Sequence, residues 1–300
     1  HSRGFSKTFK INICCIKLAH QQTFIHQEGI MIKKEDINLT MLSIPYVKSK
    51  HLDDKQSRKI IEKFENAKDY QIDCDAVYDG FLTRNVIARH AYLSEKINKY
   101  KHSFEQLLIL SVGLDTKPDT LPALKDKNCF GLDIAANDIK NIYTYSQTQT
   151  KTKILQCDFQ KDIHSALLDK LEHAGMIRSK PTYIIWEGGT FYIDASDIYH
   201  TLQYLCHHLN IIGCSIDFMN KDLFSPPRHQ KAKKQLQLVE KIGVPWKSFF
   251  SKEALEKMFK KLGFTDIAIT LHGEYEKKAL GNINLDEDIM YMATAVRKEI

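Results

Sequence analysis

The sequence predicts an α/β fold: a doubly wound, seven-stranded, mostly parallel sheet with an antiparallel last strand. Three observations carry that prediction. Short apolar runs alternate with polar segments of helix length, several runs close on a carboxylate, and the first run stops at a glycine with an acid two residues on. An N-terminal helical extension and an inserted helical lid complete the expected architecture.

The elements follow in order. Residues 1–30 begin at His1 and read as translated upstream sequence, with Met31 as an ordinary start; a genuine extension is the alternative. Residues 31–104 read as a helical cap. Apolar residues recur at three- and four-residue spacing over 53–70, with Ile60, Ile61 and Phe64 on one stripe. They recur again over 75–100, through Val77, Phe81, Ile87, Tyr92 and Leu93. The sheet domain spans 105–300. Its runs are LLILSV (107–112), CFGLD (129–133), KILQCD (153–158), TYIIWEG (182–188) and GCSIDFM (213–219). Pro226-Pro227 opens a basic amphipathic segment within 220–250, the expected lid. A helix at 251–262 stops at Gly263. TDIAITL and IMYMATAV follow, joined by a polar loop, and read as an antiparallel pair.

Composition bounds the function. The net charge of +6 is half concentrated in residues 1–30, and lysine and glutamate alternate over 251–261, so the charge argues little for nucleic acid. No stretch reaches the roughly 18 apolar residues of a membrane helix. Seven cysteines form no C-x-x-C pair and show no metal-ligand spacing, which points to a reducing, cytoplasmic setting.

The candidate site lies at the strand ends. Asp115 follows Gly113 by two residues, Asp133 and Asp158 close the second and third runs, and Glu187 ends the fourth. Ligands of open α/β sheets bind beyond the carboxyl ends of the strands. Asp133 stands twenty residues after Gly113, the spacing of an acid that accepts from ribose hydroxyls. One glycine is too few to cradle a pyrophosphate, which disfavours an NAD-linked oxidoreductase. A cofactor with ribose, adenine and a zwitterionic tail but no phosphate fits better, and S-adenosylmethionine has that composition.

The motifs together resemble the leucine carboxyl methyltransferase family, a class I branch with a Rossmann-like fold. LLILSVGLDTKPDTLP is similar to its G-x-G-[LM]-D-T signature, and YDGFLTRNVIARH to the helix carrying an F-x-R arginine. CFGLD, CDF and YIIWEGGTFYI resemble its later motifs, and KIGVPWKSFFSKEALEKMFKKLGFTDI its bacterial C-terminal segment. The resemblance implies S-adenosylmethionine as cofactor and assigns Arg84 to the methionine carboxylate. It puts Gly113 against the methionine portion, Asp133 on the ribose, and Asp158 with Phe159 at the adenine. Glu187 would face the amino-acid end, while Asp115 and Thr116 fix the loop. Tyr192 would position an acceptor, with a packing role the alternative. Ser111 stands where the family has its first glycine, and Lys48 is a candidate second cation.

The resemblance thus implies an O-methyltransferase of the bacterial branch, acting on a carboxylate or hydroxyl of a small molecule or a peptide C-terminus. The alternative is a non-catalytic sensor of S-adenosylmethionine or S-adenosylhomocysteine, which the Ser111 departure keeps open. His200, His207, His208, His229 and His272 are unassigned candidates for a general base.

Overall fold

The computed structural model describes residues 25–27, 30–32, 39–64, 75, 80–163, 165–241, 243–281 and 288–298. The expectation for residues 1–30 falls almost wholly outside them; Ile25–Gln27 (β1) and Ile30–Ile32 (β2) pair antiparallel.

The helical cap comprises α1 (Ser43–His51), α2 (Lys55–Ile61) and α3 (Phe81–Tyr100). The Asp54 carboxylate accepts from the Ser57 amide at 2.8 Å and so caps α2. Of the second expected helix, Phe81–Tyr100 is described as α3 and Asp75 is helical, while residues 76–79 lie outside the described residues. Gly80, at φ +73°, precedes α3, and Asp75 accepts from the amide and hydroxyl of Thr83 in its first turn.

The sheet domain follows as β3 (Gln106–Leu110), α4 (Lys117–Thr120), β4 (Asn128–Asp133), α5 (Ala136–Tyr145), β5 (Lys153–Gln156), α6 (Ser165–His173), β6 (Thr182–Trp186), α7 (Ala195–His208), β7 (Ile211–Met219), α8 (Lys221–Phe224), α9 (Gln230–Lys241), α10 (Lys252–Lys261), β8 (Asp266–Leu271), α11 (His272–Leu280) and β9 (Met290–Val296). The strand order is β5-β4-β3-β6-β7-β9-β8, parallel except for β9, which runs antiparallel to both neighbours. All of β3 and β6 is buried, as expected for unbroken apolar runs covered on both faces.

Each face carries its own core. Leu108, Phe130, Ile184 and Ile216 look toward α6, α7 and α10; Leu107, Ile109, Tyr183 and Ile185 look toward α3 and α5. On α10, Leu255, Met258 and Phe259 form the inward stripe, Ser251 caps the start, and Gly263 at φ +84° follows the end. Burying such a side chain fully is worth about 1.5–3 kcal/mol.

One element corrects the sequence reading. The expected loop between the last two strands is helical over His272–Leu280, because His272, Tyr275 and Glu276 form a buried face against α3. Tyr275 donates to Glu95 at 2.8 Å and stacks edge-on with Tyr92. The apolar stripe is too polar to read as a helix from sequence alone.

The segment 220–250 sits over the end of β7. Leu223, Phe224 and Ala232 pack with Phe191, Met219 and Met290, and Trp246 and Phe249 close the cluster. The Lys247 amide donates to Phe191 at 2.6 Å and the Ser248 hydroxyl to Thr190 at 2.9 Å, which ties this segment to the turn after β6. Among the described residues, no helix is long and apolar enough to cross a membrane.

Candidate functional site

The turn after β3 is built on two residues with positive φ, Ser111 at +52° and Gly113 at +47°. Glycine adopts this conformation freely, whereas serine does so at a steric cost. The Ser111 hydroxyl accepts from the Trp186 indole at 3.0 Å and lies against Gly189, where a Cβ would come within 2.2 Å of it. Serine is thus accommodated by a glycine on the neighbouring loop.

Asp133, at the end of β4, receives the Gly113 amide at 2.9 Å on one oxygen and the Ala135 amide at 2.8 Å on the other. A carboxylate has about four acceptor positions, so capacity remains for hydroxyls. Burial raises its pKa against the opposing pull of these amides. The next residue, Ile134, is 62% exposed, an isolated apolar face beside the acid. Asp158 accepts from the Gln160 amide at 3.0 Å and pairs with Lys161 at 3.1 Å. Phe159 is buried with its ring 5.1 Å from that of Trp186.

Glu187 belongs to a buried charge cluster at the ends of β3, β6 and β7. Its Oε2 bonds the Lys117 ammonium, and its Oε1 lies 3.4 Å from Arg89 Nε. Arg89 Nε is also 3.5 Å from Asp217 Oδ2. Lys117 Nζ is 2.9 Å from Asp115 Oδ1, and Lys48 Nζ is 3.6 Å from the same oxygen. Three cations therefore face three acids, none with a side chain more than 10% exposed. Glu187 Oε1, Asp115 Oδ2 and Arg89 Nε nevertheless lack hydrogen-bond partners within the protein. Buried charged atoms are rarely left so, which makes the cluster the candidate ligand site.

The cluster sets its own protonation. Burial alone would raise Glu187, but Lys117, Lys48 and Arg89 outweigh it and hold the carboxyl well below the usual range. Burial would lower Lys117, yet Asp115 and Glu187 raise it above an ordinary lysine. His90 is pushed down to about 4 by burial and then by Lys48 and Lys117, so it stays neutral. Asp217 is pushed up to about 6, chiefly by burial, with Glu187 adding and Arg89 opposing.

Of the residues singled out from sequence, Ser111, Gly113, Asp133 and Glu187 border this region. Arg84 is engaged by Glu276 at 2.7 Å; the arginine that meets Glu187 is Arg89, five residues further along α3. Tyr192 is 41% exposed on the turn after β6, its ring packed on Phe191 at 4.5 Å. Lys48, the candidate second cation, joins the cluster; Arg89, Lys117 and Asp217 carried no motif that singled them out. Asp217 carried a usable signal, being one more acid near the end of an apolar run.

A sheet in this order, with its acids gathered at the carboxyl ends, is the fold of the S-adenosylmethionine-dependent methyltransferases. A candidate methyltransferase from Thermobifida fusca YX shares it at 13% identity, covering 88% of this chain and 95% of that one, with a TM-score of 0.61. A DUF574 family protein from Streptomyces avermitilis MA-4680 shares it at 16% identity, covering 86% and 97%, with a TM-score of 0.56. The sequence model of leucine carboxyl methyltransferase matches residues 48–206, and the chain belongs to that family. No curated protein matches the sequence significantly. The family's methyl donor is S-adenosylmethionine, and the donor set fits it: paired cations and acids for a zwitterion, and Asp133 for hydroxyls.

Proposed function

We propose that this methyltransferase acts on oxygen, methylating a carboxylate or hydroxyl of a small molecule or a peptide C-terminus. The observation that supports methyl-donor binding is the buried cluster of three cations and three acids beside the Ser111–Gly113 turn, and the oxygen acceptor rests on the family resemblance. Lys48 and Arg89 suit a carboxylate, and arginine binds that group well. Glu187 and Asp115 suit an ammonium. In this reading Arg89 takes the role that the motif had given to Arg84, which Glu276 engages. Asp133 accepts the ribose hydroxyls, Ile134 offers an apolar face to the base, and Asp158 with Phe159 borders the adenine.

When bound, the cofactor supplies a methyl group on a sulfonium, open to in-line attack. The protein's part is alignment and exclusion of water. Tyr192 and the aromatic cluster of Phe191, Phe224 and Trp246 would border the acceptor. A carboxylate acceptor is already a nucleophile near neutral pH, so no general base is needed there. The sensor reading was kept open by Ser111; its hydroxyl is held by Trp186 and accommodated by Gly189, so this departure no longer argues against a working cofactor site.

The test is transfer of a labelled methyl group to a panel of carboxylic acids, phenols and alcohols. Label should enter an oxygen acceptor, alkali-labile if an ester and stable if an ether. Label entering only nitrogen or carbon acceptors would contradict the reading.

A further inference from the structure

We propose that Asp217 is a positioning residue whose negative charge keeps Glu187 and Arg89 available to the amino-acid end of the methyl donor. The proposal rests on the cofactor reading above and goes beyond it, because Asp217 itself touches only protein.

Both Asp217 oxygens accept from the Gly188 amide, at 3.0 and 2.9 Å, and its carbonyl accepts from the Thr190 hydroxyl at 2.6 Å. The residue thus grips both ends of the turn that carries Glu187. Gly188 stands at φ +72°, and a Cβ there would meet the Arg89 guanidinium at 3.2 Å. Asp217 Oδ2 lies 3.5 Å from Arg89 Nε, which is also 3.4 Å from Glu187 Oε1. Arg89 is therefore shared between two acids.

The charge count shows what that sharing does. Lys48, Arg89 and Lys117 balance Asp115, Glu187 and Asp217. Without the Asp217 charge the cluster holds an excess cation. Arg89 would then draw on Glu187 alone, which Lys117 already bonds, and an incoming ammonium would be left chiefly with Asp115, which Lys48 and Lys117 already face. The groups facing Asp217 are Arg89 from α3, Glu187 and the Gly188 amide from the turn after β6, and Lys117 from α4. Burial outweighs the favourable ones and sets its carboxyl at about 6. His90, at about 4, and His272, at about 3, titrate below that window.

The test is calorimetry with two probes between pH 7.5 and 5. S-adenosylhomocysteine carries the amino-acid tail, whereas 5′-methylthioadenosine lacks it. Wild-type affinity for the first should fall about fivefold across the range, and affinity for the second should hold. Asp217→Asn should bind S-adenosylhomocysteine about tenfold more weakly at pH 7.5, without the pH slope, and bind 5′-methylthioadenosine normally. Asp217→Glu should recover part of the loss. A wild-type profile that is flat for S-adenosylhomocysteine, or parallel for both probes, overturns the proposal and needs no variant. Wild-type affinity and slope in Asp217→Asn would overturn it too. If neither probe binds the wild-type protein, the cofactor reading falls and this proposal with it.

Discussion

Ser111 holds a backbone conformation that costs an L-residue about 1 kcal/mol relative to glycine. Its hydroxyl offsets part of that through Trp186, whose indole would otherwise be buried without a partner. Ser111→Ala keeps the strain and loses the bond, so it should be less stable than wild type by about 1–2 kcal/mol. Ser111→Gly loses the bond but also the strain. Urea denaturation should place it about 1 kcal/mol above Ser111→Ala; equal stabilities would contradict the account. Gly189→Ala would drive a methyl group into the Ser111 side chain, 2.2 Å from Oγ. Overpacking of this kind costs about 1–3 kcal/mol, and adding Ser111→Gly should recover part of it in a double-mutant cycle, the Trp186 indole at 2.7 Å keeping the rest. Lys117→Met would leave Asp115 and Glu187 buried without their common cation. Breaking such a pair costs about 3–5 kcal/mol, and adding Glu187→Gln should restore part of it. These residues differ in how far sequence announces them. Gly113 and Asp133 stand at positions with a pattern, whereas Lys117 reads as one surface lysine among many. Only the fold turns it inward.

The strands were legible because parallel strands covered on both faces are nearly continuous apolar runs. Helix α10 was legible for its stripe, its serine cap and its terminal glycine. Helix α11 was not, since its buried face is His272, Tyr275 and Glu276, of which Tyr275 bonds Glu95 and Glu276 pairs with Arg84, both on α3. Burial, then Arg89 and Arg84, push His272 down to about 3 from the usual 6.5. The unfolded chain therefore binds its proton between pH 6.5 and 3 while the folded one does not, so stability falls as pH falls through that window. His90 acts in the same direction down to about 4. Asp217 acts in the opposite direction, between the unfolded value of 3.8 and about 6. The two histidines thus contribute a decline in unfolding free energy on acidification from pH 6.5 to 4.5, which the raised buried acids Asp133 and Asp217 oppose. His272→Asn should make that decline shallower by about 1 kcal/mol per pH unit at most; an unchanged slope would contradict the burial argument.

At the scale of the whole molecule, the sheet brings the ends of β3, β4, β6 and β7 to one edge. Residues from α1, α3 and α4 close over that edge with opposite charge. The resemblance to the leucine carboxyl methyltransferase family was legible from motifs spread along the chain, and the family model covers 48–206. The charge pairing was not, because Lys48 and Asp115 are distant in sequence and meet only through packing. That pairing is the central claim, for cations and acids in equal number suit a zwitterionic cofactor. Titration calorimetry of the protein with S-adenosylmethionine and with NAD tests it most directly. The account predicts saturable binding of S-adenosylmethionine, weakened by Arg89→Ala and by Glu187→Gln, and no binding of NAD. Binding of NAD without S-adenosylmethionine would contradict it.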